Sequence, residues 1–412
     1  MANRGLPGVA GLDVPDSHYA QSFEHERPVA SRHRSRPGKP PVNLHAIELR
    51  LVRLPLVSAF RSSLSTETTR EALLVRVESD EGEGWGECVA GTDPLYSSEY
   101  VDSAWLTLRR HIAPRLLATT ELSGSTVADL LAPIKGHRMA KAALEMAVLD
   151  AELRAAGISL STYLGGVSSV VTPGVAIGIT RPVGELLERV QEYLEEGYLR
   201  VKLKIEPGWD LEPVRAVRER FGEDLMLQVD ANGSYRRSDV AHLALFDEFS
   251  LLLIEQPLHE EDLLGHAQLA EHLTTPICLD ESIVSAQTAA SAIALGACSV
   301  VNIKAGRVGG YLEARAVHDL CLSANVPVWC GGMLETGLGR AANLALASLP
   351  GFSLPGDVSA SDRYFRQDIT IPFRLSGGQI AVPTGPGLGV EVLMSVVEEL
   401  TTRSETVSEL ET

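Results

Sequence analysis

Short apolar runs recur through the second half of the chain at nearly even spacing. "TPGVAIGI", "YLRVKLKI", "LMLQVDA", "LLLIEQP", "PICLDES", "SVVNIKAG", "VPVWCGG" and "FSLPGDVS" begin at about residues 172, 198, 225, 251, 276, 299, 326 and 352, a period close to 26. Between them apolar residues fall at helical spacing, as in "PVGELLERVQEYLEEG", "EDLLGHAQLAEHL" and "YLEARAVHDLCLSAN". Apolar runs alternating with helices predict parallel strands, because a parallel pair needs a long crossover and that crossover is almost always right-handed. Eight such units in about 200 residues predict an α/β fold, a TIM-like barrel, ahead of an open doubly wound sheet.

The first half is patterned differently. From "NLHAIELRLVRLPLV" through "REALLVRVESDEGEGWGECVA" the alternation reads strand, loop, strand, turn, strand, and Ser97 to Leu117 and His137 to Ala156 read as amphipathic helices. This predicts an α+β capping unit over 44–168, followed by the barrel over 169–368. Residues 369–412 break the period and are expected to return to the first unit, with the acidic end "SETVSELET" frayed. Residues 1–43 show no apolar period and end in "RPVASRHRSRPGKPP", the composition of a disordered tail.

A barrel gathers its chemistry at the carboxyl ends of its strands, and there the apolar runs end in charge. Lys202 and Lys204 alternate with Val201, Leu203 and Ile205, which puts both lysines on one face of a strand. Alone, such a pair is the guard of a solvated edge strand. The later runs overturn that reading. Asp230, Glu255, Asp280 and Lys304 follow Lys204 at intervals of 26, 25, 25 and 24 residues, each at the end of its run. One acid at a strand end is ordinarily a turn former or a helix cap. Three on successive strands, about 4.8 Å apart, converge on one ion. Carboxylates without His or Cys predict Mg2+, with Mn2+ or another divalent ion as substitute, rather than zinc. Lys204 and Lys304, four strands apart in a ring of eight, are expected to face each other across the mouth. A lysine beside a second ammonium and a divalent ion is expected to have its pKa lowered, to roughly 7 or 8, where it serves as a general base. Lys202 is expected to stay charged and bind a substrate carboxylate. Such a site suits removal of a proton beside a carboxylate, with the ion stabilising the enediolate. Two other classes stay open: a Schiff-base aldolase on Lys304, and a barrel that binds without turnover.

Bulk properties narrow the partners. A formal charge of −18 argues against nucleic acid and anionic membranes, and a small anion needs a local basic pocket. Five cysteines without C-x-x-C spacing indicate neither a disulfide framework nor zinc. The start "MANRGLPGVAGLDVPDSH" lacks a signal-peptide pattern, and no stretch reaches 18 apolar residues, so a soluble cytoplasmic protein is expected.

The K-x-K, the acids of "VDAN", "IEQP" and "LDES", and the later lysine, in this order, resemble the enolase superfamily and its muconate-lactonising subgroup. "RVKLKIEPGWD", "ICLDESI", "VNIKAGRVGGYLEA", "PVWCGGMLETGLGRAAN" and "LPGDVSASDRYF" are similar to o-succinylbenzoate synthases that also racemise N-acylamino acids such as N-succinylamino acids. The likeness spans about residues 44 to 395. It implies a modified (β/α)7β barrel, Lys204 and Lys304 as an acid/base pair, Lys202 as an auxiliary cation, and Asp230, Glu255 and Asp280 as Mg2+ ligands. It further implies Asn232 orienting a ligand or the substrate, Arg307 of "KAGRVGG" tuning Lys304, and Gly332 and Leu334 as pocket wall. "VSAFRSSLST" (57–66) and "VAGTDPLYSSEY" (89–100) match the family's lid loops. The implied activity is syn-dehydration to o-succinylbenzoate, a step of menaquinone biosynthesis, or 1,1-proton transfer on N-acylamino acids, or both, in a homo-oligomer acting on a small-molecule carboxylate. Dipeptide epimerisation and muconate cycloisomerisation are sister activities of the same residues.

Overall fold

The computed structural model describes residues 42–408, so the tail expected over 1–43 lies outside the described residues save Val42 and Asn43. Strands β1 (Leu44–Arg61), β2 (Thr66–Ser79) and β3 (Gly82–Cys88) form an antiparallel meander. The helix Arg138–Ala155 lies against it, and glycines set how closely. A Cβ on Gly84 or Gly86 would stand 2.1 or 2.0 Å from the carbonyl oxygen of Ala147 or Ala143. The "GEGWGEC" strand thus trades side chains for direct contact with the helix backbone. A second helix runs Val101–Thr107 and Ala113–Leu117, joined through a π-type turn at Leu108–Ile112.

The acidic end departs from expectation as far as Ser408, and residues 409–412 lie outside the described residues. Thr401–Ser408 is not frayed but forms a further strand of the meander sheet, paired antiparallel with β1 from Ala46 to Val52. Only Val407 in it is apolar and buried, so no alternation betrays it. Main-chain bonds to an otherwise open sheet edge hold it there. A two-residue antiparallel ladder, β4 (Val170–Val171) with β12 (Ile380–Ala381), ties down the segment that leads to this last strand, β13.

Seven parallel strands follow in strict neighbour order: β5 (Val175–Ile177), β6 (Arg200–Lys204), β7 (Met226–Asp230), β8 (Ile254–Glu255), β9 (Ile277–Leu279), β10 (Val300–Ile303) and β11 (Val328–Cys330). Helices such as Val183–Glu196, Leu263–Ala270 and Tyr311–Ser323 connect them. The eighth run, "FSLPGDVS", is no regular strand, because Pro355 cannot donate to a ladder. It nevertheless closes the ring. Phe352 bridges Val328 and Gly356 bridges Pro173, with Asp357 N donating to Cys330 O at 2.8 Å and Gly174 N to Gly356 O at 2.7 Å. Gly356 is required at that seam, since a Cβ would lie 2.5 Å from Cys330 O. The result is a modified TIM barrel beneath a strand-rich cap, with the apolar faces of β5–β11 in the main core. Among the described residues no helix is long and apolar enough to cross a membrane, and all five cysteines are buried and free.

Candidate active site

Strand register places the charged side chains. Lys204 pairs with Asp230 and Asp230 with Glu255, so three charged groups stand side by side at the carboxyl ends of β6, β7 and β8. Asp280 and Lys304 each follow the last residue of β9 and β10. The structure therefore brings all six strand-end residues to one end of the barrel. Asp230, Glu255 and Asp280 are wholly buried, as are nearly all of Lys202 and Lys304.

Each carboxylate is held by cations. Lys204 Nζ lies 2.6 Å from Asp230 Oδ2, and Lys202 Nζ lies 3.2 Å from the same oxygen and 2.8 Å from Glu255 Oε2. Lys304 Nζ is 2.8 Å from Asp280 Oδ2, and Arg307 bonds the other oxygen of that carboxylate. Asn302 Nδ2 donates to Glu255 Oε1 at 2.7 Å. Among the described residues no three His, Cys, Asp or Glu side chains are drawn together tightly enough to enclose an ion. Their chemistry still fits one. Three fully buried carboxylates on consecutive strands, with no nitrogen or sulfur donor among them, are a hard-cation donor set.

Lys202 stays charged, as expected. Burial alone would lower Lys202, but Asp357, Glu255 and Asp230 outweigh it and raise its pKa, so Lys202 is firmly an ammonium. Lys304 is likewise raised, its burial overcome by Tyr96, Glu281, Glu255 and Asp230. Asp230 is lowered although buried, because Lys204 and Lys202 flank it.

Further residues complete the site beside these lysines and acids. Tyr96, from the loop 89–100, places its hydroxyl 3.1 Å from Lys304 Nζ and 3.2 Å from Asp280 Oδ1, with its ring centroid 4.7 Å from that ammonium. Asp357 holds Lys202 Nζ at 2.5 Å and Arg200 Nη1 at 2.8 Å. It ends the eighth run as the other acids end theirs, and the same strand-end logic applied once more finds it. Glu281 accepts from Asn232 Nδ2 at 2.8 Å, while Asn232 Oδ1 accepts from Lys204 Nζ at 2.8 Å. Burial and the nearby Asp230 carboxylate push Glu281 up to about 7. Arg307 shares the Asp280 carboxylate with Lys304, and it also bonds Ile283 O and Asn302 O.

A cavity of about 510 Å3 opens above these groups. Lys202, Lys204, Asn232 and Lys304 line it from the barrel, together with Gly332 and Leu334, and Phe60, Leu64 and Tyr96 line it from the cap. Leu334 is held at a φ of 55°, a strained conformation for a leucine. Of the segment expected as a lid loop, 57–61 is the end of β1 and Thr66 the start of β2, and Ser63 in the short connection between them donates to Ala231 O at 3.1 Å, which seats that connection on the end of β7.

Comparison with known proteins agrees with this geometry. Residues 46–165 match the mandelate racemase/muconate lactonizing enzyme N-terminal domain, and residues 185–396 the enolase C-terminal domain-like family. The chain is 62% identical over 361 residues to an N-succinylamino acid racemase of Amycolatopsis sp, covering 88% of this chain and 98% of the relative. It is 44% identical over 362 residues to an o-succinylbenzoate synthase of Geobacillus kaustophilus, covering 87% and 96%. A crystal structure of an enolase superfamily member from Listeria innocua superposes with a TM-score of 0.86 at 37% identity, over 89% of this chain and 99% of that one.

Proposed function

The chain belongs to the mandelate racemase and muconate lactonizing enzyme family of the enolase superfamily, and we propose that it acts as an N-succinylamino acid racemase and o-succinylbenzoate synthase. One observation carries the proposal: Lys204 and Lys304 rise from strands four apart and line the same cavity. In 1,1-proton transfer one lysine removes the α-proton from one face of the substrate and the other returns a proton to the opposite face. Lys202, buried and held as an ammonium, offers fixed positive charge to the substrate carboxylate. In syn-dehydration Lys204 removes the proton and returns it to the departing hydroxyl on the same side, while Lys304 stabilises the developing negative charge.

Asp230, Glu255 and Asp280 would hold Mg2+, which supplies positive charge where the enediolate forms. Asp230 and Glu255 favour the charged form of Lys304, and a divalent ion held by them would oppose that effect. A Schiff-base role for Lys304 needs a neutral amine just as base catalysis does, so borohydride trapping separates the two. Five buried free thiols agree with a reducing cytoplasm.

The deciding experiment assays the purified protein with Mg2+ on both substrate types. Racemisation of an N-succinylamino acid with solvent deuterium entering at the α-carbon, or formation of o-succinylbenzoate from its hydroxy-acid precursor, is the expected result. Failure on both, or borohydride trapping of a substrate on Lys304, would overturn it.

A further inference from the structure

Three arginines line the substrate cavity, and two of them are engaged with acids. Arg53 pairs with Glu71 at 2.8 Å and is largely exposed, and Arg340 Nη2 lies 3.2 Å from Glu335 while Nη1 donates to Asp357 O. Arg70, on β2 opposite Leu54, is different. It is 2% exposed, yet its only hydrogen bond among the described residues runs from Nη1 to Ala90 O at 3.0 Å. Nε and Nη2 have no partner, and no described carboxylate stands within 4.0 Å of the guanidinium. Glu87 is the acid whose charge Arg70 stabilises, but its oxygens are taken by Thr336 N at 3.1 Å, Thr336 Oγ1 at 2.7 Å and Gly339 N at 3.0 Å.

A buried guanidinium with open N–H groups is costly unless an anion or hydrogen-bond acceptor comes to it. Its position on the cavity wall says where such a group comes from. The chain as a whole carries −18, so a substrate with two carboxylates meets a repelling field and needs local cations at both ends. Lys202, Lys204 and Lys304 supply them at the barrel end of the cavity, and Arg70 is the buried cation contributed by the cap.

We propose that Arg70 anchors the second, remote carboxylate of the substrate, the free end of a succinyl group, and so makes the site selective for N-succinyl over neutral N-acyl substrates. This rests on the reading of the site as an N-succinylamino acid racemase. Two N–H groups of one planar guanidinium match the two oxygens of a carboxylate, which an amide cannot reproduce.

The test compares an N-succinylamino acid with its terminal monoamide, a neutral isostere, in the Mg2+-loaded enzyme. For the wild-type protein we expect kcat/KM to favour the acid by about ten- to a hundredfold, carried mainly by KM. Arg70→Met should bring that ratio to within about threefold of unity, and Arg70→Lys should keep part of the preference. Equal use of acid and amide by the wild-type enzyme, which needs no variant to fold, overturns the anchor. So does an Arg70→Met protein that loses activity equally on both. Calorimetric binding of the same two ligands separates the anchor from turnover. Tighter binding of the acid, lost in Arg70→Met, supports the anchor even if neither ligand is racemised, in which case the proposed activity alone fails. Equal affinity in both proteins overturns the anchor.

Discussion

Glu281 Oε1 accepts the side-chain amide of Asn232 at 2.8 Å and thereby fixes which way that amide faces. With its NH2 end committed to Glu281, Asn232 presents Oδ1 to Lys204 Nζ at 2.8 Å. Glu281 thus positions Lys204 without touching it. Removing the acceptor in Glu281→Ala frees the amide to turn and weakens the aim of one lysine only.

We therefore expect Glu281→Ala to slow α-hydrogen exchange in D2O by about ten- to a hundredfold for the enantiomer that depends on Lys204. The other enantiomer should be affected far less. Glu281→Gln, which keeps an acceptor oxygen, should recover most of the loss. Exchange measured separately on each enantiomer checks this, and an equal fall for both hands would show that Glu281 serves the fold instead.

The carboxylates carry both activity and stability. Asp230→Asn, Glu255→Gln and Asp280→Asn should each lower kcat/KM by roughly a thousandfold or more, and excess chelator should do the same to the wild-type enzyme. In the ion-free protein Asp280→Asn strips the counter-charge from both Lys304 and Arg307, each almost wholly buried. Breaking such a pair costs about 3–5 kcal/mol, readable by denaturant unfolding. Full turnover in excess chelator would remove the metal from the mechanism.

A pH dependence follows from Glu145, which joins cap to barrel. Its carboxylate accepts Leu312 N at 3.1 Å at the start of the helix Tyr311–Ser323. Burial nonetheless pushes it up to about 7. The folded pKa lies above the ordinary glutamate value of 4.5, so the folded state holds its proton more tightly than the unfolded chain. Stability from this group is complete below about pH 4.5 and is lost as pH rises through about 7, on the order of 3 kcal/mol in all. Glu145→Gln keeps an acceptor and removes the titration. Urea unfolding at pH 5.5 and pH 8 should show the variant more stable than wild type at pH 8, with a smaller change between the two. A parallel pH response in both proteins would assign the effect elsewhere.

The barrel is legible in the sequence because its signals are periodic. Apolar runs near every 26 residues expose the strands, and a two-residue alternation puts Lys202 and Lys204 on one strand face. What escapes is held by contacts that no period announces. Thr401–Ser408 joins the cap sheet through its backbone with one buried apolar side chain. The seam at Gly356 depends on two main-chain bonds beside a proline. Tyr96 crosses from the cap to Lys304, 208 residues away in the chain, and Arg70 is revealed only by the partners it lacks.

The opposed lysines allow the sharpest test, because two bases on two faces predict a pattern that a single base cannot produce. If Lys204 and Lys304 flank one bound N-succinylamino acid, racemisation needs both, one as base and the other as acid. Lys204→Ala and Lys304→Ala should each abolish it. Each variant keeps the other lysine of the pair, however, and that lysine can still exchange the α-hydrogen of the enantiomer it faces. The two variants should therefore exchange opposite enantiomers in D2O, followed by NMR at the α-position. Dehydration requires proton removal on one face only, so Lys304→Ala should there lose the stabilising cation while Lys204→Ala loses the base itself. Both variants exchanging the same enantiomer, or either one racemising at the wild-type rate, would show that the lysines do not work from opposite faces.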